Sequence, residues 1–403
     1  MKTVSGGVCA AKGFTANGIH CGIRKNKQKK DLSLIVSERR AHAAAVYTTN
    51  LVKGAPLTVT KSHLADGFAQ AVICNSGNAN TCNANGVEVA EEICTLVEKE
   101  TGIPACDVIV ASTGVIGQPL DIAPIRDGMV ELAAGLGNGS ADAAEGIMTT
   151  DTIKKEIAVS FEIGGKTCTV GGIAKGSGMI HPNMATMLVF LTTDTAISAE
   201  MLKKALSTDI QSTFHMVSVD GDTSTNDMVA ILANGMAENP EIVSDGEDFQ
   251  IFMKALNTVP VYLCRKIAGD GEGATKLLEC RVTGAVSDAA AKTAAKSVIC
   301  SSLVKAAMFG ADANWGRILC ALGYSGADID PDHVKVSFRS AAGEVVVCEG
   351  GAGVIFSEEK AKEVLTEKEI EILIDLGSGT GAATAWGCDL SYDYVKINGD
   401  YRT

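Results

Sequence analysis

Aromatic rings are scarce in this chain, with 10 Phe, 6 Tyr and 2 Trp among 403 residues. That scarcity argues against an aromatic binding platform. Long apolar runs are missing too. No stretch approaches the ~18 residues needed to span a bilayer, and Met1-Lys2-Thr3-Val4-Ser5-Gly6-Gly7 lacks the apolar core of a signal peptide. A cytoplasmic protein without a membrane partner is the expectation. Basic residues are outnumbered, 35 Lys and Arg against 48 Asp and Glu, for a net charge of −13. Long-range repulsion then opposes binding to nucleic acid or to anionic lipid. The one basic run, Arg24-Lys25-Asn26-Lys27-Gln28-Lys29-Lys30, reads as a solvated loop before a strand from Asp31 to Val36. No Cys-x-x-Cys pair occurs, and thirteen cysteines is an odd number, so free thiols are expected. Cys94, Cys300 and Cys320 sit among apolar neighbours and read as small core side chains. The six His are scattered from His20 to His333, which leaves no cluster at metal-ligand spacing; no metal is expected.

What the chain does contain is glycine, 43 residues of it, and 46% hydrophobic residues. The first suits a site built from loops and close backbone approaches. The second is ample for a large core, and the length suggests two to three structural units. Leu32 to Val36, Ala71 to Cys74 and Val108 to Ser112 read as buried strands. Val87 to Glu100 carries Ala90, Ile93, Cys94 and Val97 at helical spacing, with Gly102 placed to close the helix. A hairpin is predicted from Glu156 to Val170, turning at Gly164-Gly165, followed by a glycine-rich loop over Gly171 to Pro182. Ala199 to Leu206 reads as a helix capped by Ser198, and a long alanine-rich helix runs from Ser287 to its stop at Gly310. Towards the C-terminus, Val334 to Phe338 and Val345 to Cys348 pattern as paired strands, Glu358 to Leu365 as a helix and Ile370 to Leu376 as a strand. They predict a smaller α/β lobe with a boundary near residues 280–325.

The most informative segment is Ala174-Lys175-Gly176-Ser177-Gly178-Met179-Ile180-His181-Pro182-Asn183-Met184-Ala185-Thr186-Met187-Leu188. Two glycines and a proline make a stiff turn, and the chain then enters an apolar stretch with Thr186 at the junction. A threonine there can cut its own chain. Attack of its hydroxyl on the Ala185 carbonyl converts the peptide to an ester, and hydrolysis frees an α-amine beside the hydroxyl. That amine has a pKa of roughly 7.7–8.0, so it serves as a general base near neutral pH without a histidine. A threonine at a strand start is also an ordinary β-former or cap.

The segment resembles the cleavage motif of the ornithine acetyltransferase family, in which the threonine of an Ala-Thr-Met-Leu run is the nucleophile. Other stretches are similar to family signatures in the same order: Asn75-Ser76-Gly77-Asn78-Ala79-Asn80, Ser112-Thr113-Gly114-Val115-Ile116-Gly117, Met148-Thr149-Thr150-Asp151-Thr152, Gly221 to Asp227, Gly310 to Ile318 and Asp389 to Asn398. The departures are minor: Ala313 stands where proline is common, and Gly387 falls at a variable position. The resemblance implies an α/β fold, a layered α/β sandwich of the ornithine acetyltransferase and N-terminal-nucleophile aminopeptidase type. It implies cleavage between Ala185 and Thr186 into an alpha chain, 1–185, and a beta chain, 186–403, which assemble as a heterotetramer of two alpha and two beta chains. Thr186 would be the nucleophile, and Thr113 and Gly114 the oxyanion hole. Thr152, Lys175, Thr186, Glu272, Asn398 and Thr403 would contact substrate, with Glu272 facing a cationic amine. Thr403, the last residue, reaches a site only if the tail from Ile397 folds back over it.

The implied reaction is ping-pong transfer of an acetyl group from N2-acetylornithine to glutamate, with no cofactor, in cyclic arginine biosynthesis. Some members also accept acetyl-CoA as a co-substrate, and these residues leave that open. Two other readings compete: an aminopeptidase of related fold, which tends to use serine, and a binding protein that has lost processing. Asp220-Gly221-Asp222 is not an EF-hand, because Thr225 and Ile231 occupy the positions of its glycine and glutamate. Gly377-Ser378-Gly379-Thr380-Gly381 lacks the third glycine of a dinucleotide loop at its proper spacing. His181, close to Thr186, reads as a residue that orders the cleavage loop rather than a base.

Overall fold

The computed structural model describes residues 1–26, 28–181 and 187–399. Its strands in chain order are β1 (Lys2–Val4), β2 (Phe14–Ile19), β3 (Leu32–Tyr47), β4 (Phe68–Asn78), β5 (Val108–Val115), β6 (Lys155–Ile163), β7 (Lys166–Lys175), β8 (Leu188–Thr193), β9 (Val217–Ser218), β10 (Met228–Ala233), β11 (Leu277–Ala285), β12 (Lys335–Ser340), β13 (Gly343–Glu349), β14 (Ala352–Gly353), β15 (Glu369–Asp375) and β16 (Gly381–Cys388). One sheet runs β1-β6-β7-β8-β10-β3-β4-β5, with β2 paired to β3; the other runs β14-β13-β12-β15-β11-β16-β9.

The central strands β8 and β10 pair in parallel, and every residue in both is buried. Strands covered on both faces read as continuous apolar runs, as Leu188-Val189-Phe190-Leu191 does. Helix Glu247–Gly269 packs on β6 and β7 of the first sheet and on β11 and β16 of the second, while Ala199–Asp209 packs on β3 and Asp288–Cys300 on β11 and β16. Val170, Leu191, Leu256, Val298, Ile372 and Trp386 therefore belong to one hydrophobic core that links both sheets. The architecture is a layered α/β sandwich. No described helix is long and apolar enough to cross a membrane.

Locally coded elements form as expected. The helix Gly86–Thr101 ends at Gly102, whose φ of 74° lets its N–H reach the Glu98 carbonyl at 2.8 Å. The hairpin turns at Gly164 and Gly165, both at positive φ. Ser198 and Ser287 accept from Met201 N and Ala290 N at the starts of their helices.

Other expectations need correction. The glycine-rich loop starts at Gly176, because Gly171 to Lys175 are still strand β7. Gly171 and Gly172 are there for close packing: a Cβ would come within 1.9 Å of the Gly7 carbonyl oxygen and 2.6 Å of Leu191 respectively. The alanine-rich helix is two helices, Asp288–Cys300 and Ser302–Phe309. Ser301 adopts an extended backbone between them and caps the second through Val304 N at 3.3 Å. Cys94 is buried as expected, but Cys300 is half-buried and Cys320 exposed. Arg24 is not a solvated loop residue; its guanidinium donates to the carbonyls of Ser76 and Met148.

Candidate active site

Two walls face each other across an open cleft. The first is built on the parallel pair β4 and β5, where Gly77 lies opposite Gly114. Gly114 has φ 131°, and a Cβ there would fall 2.4 Å from the Gly77 carbonyl carbon, so only glycine fits. Thr113 precedes it, buried and opposite Ser76. The turn Thr223 to Asp227 locks the ends of both strands. Asn226 donates from Nδ2 to the Ala79 carbonyl at 2.6 Å and the Ser112 carbonyl at 2.9 Å. The hydroxyls of Thr81 and Thr225 donate to its Oδ1, both at 2.6 Å. Every polar group of the Asn226 amide is thereby used inside the protein.

The second wall is the loop that leaves β7. Lys175 ends the strand opposite Leu188, the first residue of β8. Gly176 N donates to Asp151 Oδ1 at 2.7 Å, Ser177 Oγ to the Asp270 carbonyl at 2.6 Å, and Glu272 N to the Ser177 carbonyl at 3.0 Å. A Cβ on Gly178 would lie 2.3 Å from the Glu272 carboxyl carbon, so this glycine makes room for the carboxylate. Met179 takes a positive φ of 56°, held by Asp220, whose carboxylate accepts from Met179 N at 2.6 Å and Ile180 N at 2.8 Å. Asn398, at the end of the helix Tyr392–Asn398, donates from Nδ2 to Glu272 Oε2 at 2.7 Å.

The cleft between these walls is open to solvent and has a cavity volume of about 110 Å³. Thr113, Gly114, Lys175, Glu272 and Asn398 all line it, although they are far apart in the chain. Lys175 and Glu272 are each only 8% exposed. No hydrogen-bond or ion-pair partner for the Lys175 ammonium occurs among the described residues. Thr152 is exposed and is not among the lining residues; its N–H and hydroxyl both donate to Asp270. Ala185, Thr186 and Thr403 lie outside the described residues.

Behind the loop wall is a set of buried charges that the sequence reading overlooked. The fully buried Lys155 ammonium donates to Asp151 Oδ1 at 2.6 Å and Asp270 Oδ2 at 2.5 Å. Burial alone pushes the Asp151 carboxyl up, but the charges of Lys155 and Lys175 outweigh it and hold the group below the ordinary carboxylate value. His181 lies 3.1 Å from Ser218 Oγ and 3.4 Å from Cys300 Sγ through Nδ1, and its carbonyl accepts from Thr223 Oγ1 at 3.0 Å. Burial, with help from Lys296, pushes the imidazole down to about 4, so it is neutral at neutral pH. Among the described residues no group of three or more His, Cys, Asp and Glu is placed to hold a metal ion.

A family model described as the ArgJ family matches residues 15–403. A protein named arginine biosynthesis bifunctional protein ArgJ, from Caldanaerobacter subterraneus subsp. tengcongensis, is 51% identical over 405 residues and all of both chains. A Clostridium acetobutylicum protein, arginine biosynthesis bifunctional protein ArgJ 1, is 50% identical over 97% of this chain and 96% of its own. Among solved structures, a chain of the arginine biosynthesis bifunctional protein argJ from Bacillus halodurans matches with a TM-score of 0.51 and 46% identity. It covers 53% of this chain and 99% of its own.

Proposed function

The chain belongs to the ArgJ family, and from that membership and the cleft we propose that it is a self-cleaving glutamate N-acetyltransferase of arginine biosynthesis. It moves the acetyl group of N2-acetylornithine to glutamate. The observation that carries this reading is the gathering of Thr113, Gly114, Lys175, Glu272 and Asn398 around one cleft. Leu188, two residues after Thr186, pairs with Lys175 and ties that cleft to the cleavage motif.

In this mechanism Thr186 first attacks the carbonyl of Ala185. The resulting ester hydrolyses, giving chains of residues 1–185 and 186–403 (403 − 185 = 218 residues in the second). The Thr186 hydroxyl, deprotonated by its own α-amine, then adds to the acetyl carbonyl of N-acetylornithine. Negative charge develops on the acetyl oxygen, where the Thr113 hydroxyl and the Gly114 N–H donate to it. One donor of this kind contributes about 2.7–4 kcal/mol to the transition state. Ornithine departs with a proton, an acetyl ester remains on Thr186, and the amine of glutamate collects the acetyl group. The Glu272 carboxylate attracts the distal ammonium of ornithine, Lys175 supplies a cation for a substrate carboxylate and aids proton transfer, and Thr152, Asn398 and Thr403 complete substrate binding. No cofactor or metal takes part. Acetyl-CoA serves as an additional acetyl donor, a reading supported by the word bifunctional in the relatives' names. The two chains stay together and pair again as a heterotetramer in the cytoplasm, with a smaller C-terminal lobe from about residues 280–325.

The test is intact mass under denaturing conditions, with N-terminal sequencing of each fragment. A second fragment beginning Thr-Met-Leu-Val-Phe, together with transfer from acetylornithine to glutamate, is the expected result. A chain that stays whole through long incubation lacks the amine base and sinks the mechanism.

A further inference from the structure

The charges behind the loop wall form a connected unit. Lys155 is fully buried, and its ammonium bridges Asp151 and Asp270. Asp151 also accepts from Thr149 N at 3.0 Å and from Gly176 N. Asp270 accepts from the N–H groups of Thr152 and Ile153 and from the Thr152 hydroxyl, while its carbonyl accepts from Ser177. Through these bonds one ammonium is tied to three segments that shape the cleft: Thr149 to Thr152, the Gly176 to Gly178 loop, and the Asp270 to Glu272 loop. The charged groups around it are Asp151, Asp270 and Lys175. Glu272 lies beyond the Ser177 peptide, and Arg24 and Cys74 lie near the far side of Lys175. Two carboxylates against one ammonium leave a net charge of −1 beside Lys175.

A bare pair of carboxylates so deep in a core is unfavourable unless a cation joins them. Nothing about the cleft lining itself demands a second lysine. We propose that Lys155 is a positioning residue for the acetyl-transfer site. Its charge holds Asp151 and Asp270 together, and this bridge sets the position of Lys175 relative to Glu272 within the loop wall. The inference rests on the function proposed above and deepens it: one cation out of reach of substrate controls the fit of both charged ends of the amino-acid substrates.

Two substitutions test this in the full chain. Lys155→Met removes the cation at similar volume. Asp151→Asn removes one anion and retains an acceptor for Gly176. The Michaelis constants for acetylornithine and glutamate are expected to rise together, tenfold or more, in both variants. A structural role alone lowers the active fraction and leaves KM unchanged. A second readout does not depend on activity. In Lys155→Met the carboxylate pair takes up a proton more readily than the unfolded chain does, so its penalty is greatest near pH 8 and is relieved as pH falls. The Tm difference from the native chain should therefore shrink between pH 8 and pH 5. Equal Tm differences at every pH, or unchanged KM values, overturn the proposal. If Lys155→Met does not fold, an unchanged KM in Asp151→Asn does so alone. If the native chain transfers no acetyl group, the functional reading fails, and the Tm comparison still decides whether Lys155 acts by charge.

Discussion

The two walls of the cleft are held in opposite ways. The β4–β5 wall relies on neutral groups: a glycine against a glycine, and one asparagine amide spread over two strand ends. The loop wall relies on buried ions, Asp151, Lys155 and Asp270, that act through loops rather than strands. A neutral, hydrogen-bonded wall keeps donors in place at any pH, which is what an oxyanion needs. A charged wall recognises charged substrates, and its strength depends on protonation. The division matches the two tasks of an amino-acid acetyl transferase: stabilising one developing charge and reading two fixed ones.

Breaking the neutral wall should have the largest effect. Gly114→Ala introduces a Cβ into the Gly77 carbonyl at a φ that L-residues avoid. Acetyl transfer is expected to fall about 10²–10³-fold, the loss of one oxyanion donor, as read from kcat at saturating substrate. An activity within threefold of native would remove Gly114 from the oxyanion role. Next in size is Glu272→Gln in the charged wall. KM for acetylornithine should rise about 10-fold, in line with a charge-assisted bond of ~1.5–3 kcal/mol, while KM for glutamate changes little. Equal rises for both substrates would show that Glu272 does not distinguish the ammonium.

Stability measurements sharpen the contrast further. Asn226→Ala leaves the carbonyls of Ala79 and Ser112 without their donor, at a cost of about 1–3 kcal/mol in urea unfolding. Because no titrating group is involved, the loss should be the same at pH 5 and pH 8. The smallest effect is expected at His181. Its folded-state pKa of about 4 lies below the ordinary value of 6.5. The unfolded chain therefore binds a proton that the folded chain refuses, and stability is lost as pH falls from 6.5 towards 4. His181→Gln should flatten that part of the Tm–pH curve slightly and leave Tm above pH 7 nearly unchanged; a curve of native steepness would contradict the burial argument.

Much of this molecule was legible residue by residue. The helix over Val87 to Glu100, the turn at Gly164-Gly165 and the serine caps are coded by neighbours within a few positions, and all form as read. Five candidate residues, Thr113, Gly114, Lys175, Glu272 and Asn398, were found by motif resemblance and meet in one cleft. Thr152, assigned to substrate contact, is exposed outside the cleft lining and is bonded to Asp270. Arg24 was read as part of a solvated basic run, yet it donates to the Ser76 and Met148 carbonyls; Lys155 was overlooked because an isolated basic residue carries no periodicity or turn chemistry to mark it. Asp220 was set aside with an acidic turn, and it proves to anchor the backbone of Met179 and Ile180.

What the amino-acid sequence determined by itself was therefore local or motif-borne: the buried strands, the caps and turns, and the residue types that acyl transfer requires. Tertiary structure alone decided where β7 ends, where the alanine-rich helix breaks, and which ions meet behind Lys175. The physical reason is the range of the forces involved. A turn or cap depends on dihedral preferences and hydrogen bonds within about four residues. A glycine that lets two strands touch, or a lysine that bridges two carboxylates, depends on atoms brought together from distant parts of the chain. Asp151 and Asp270 are 119 positions apart (270 − 151), and only the packed layers bring both to Lys155.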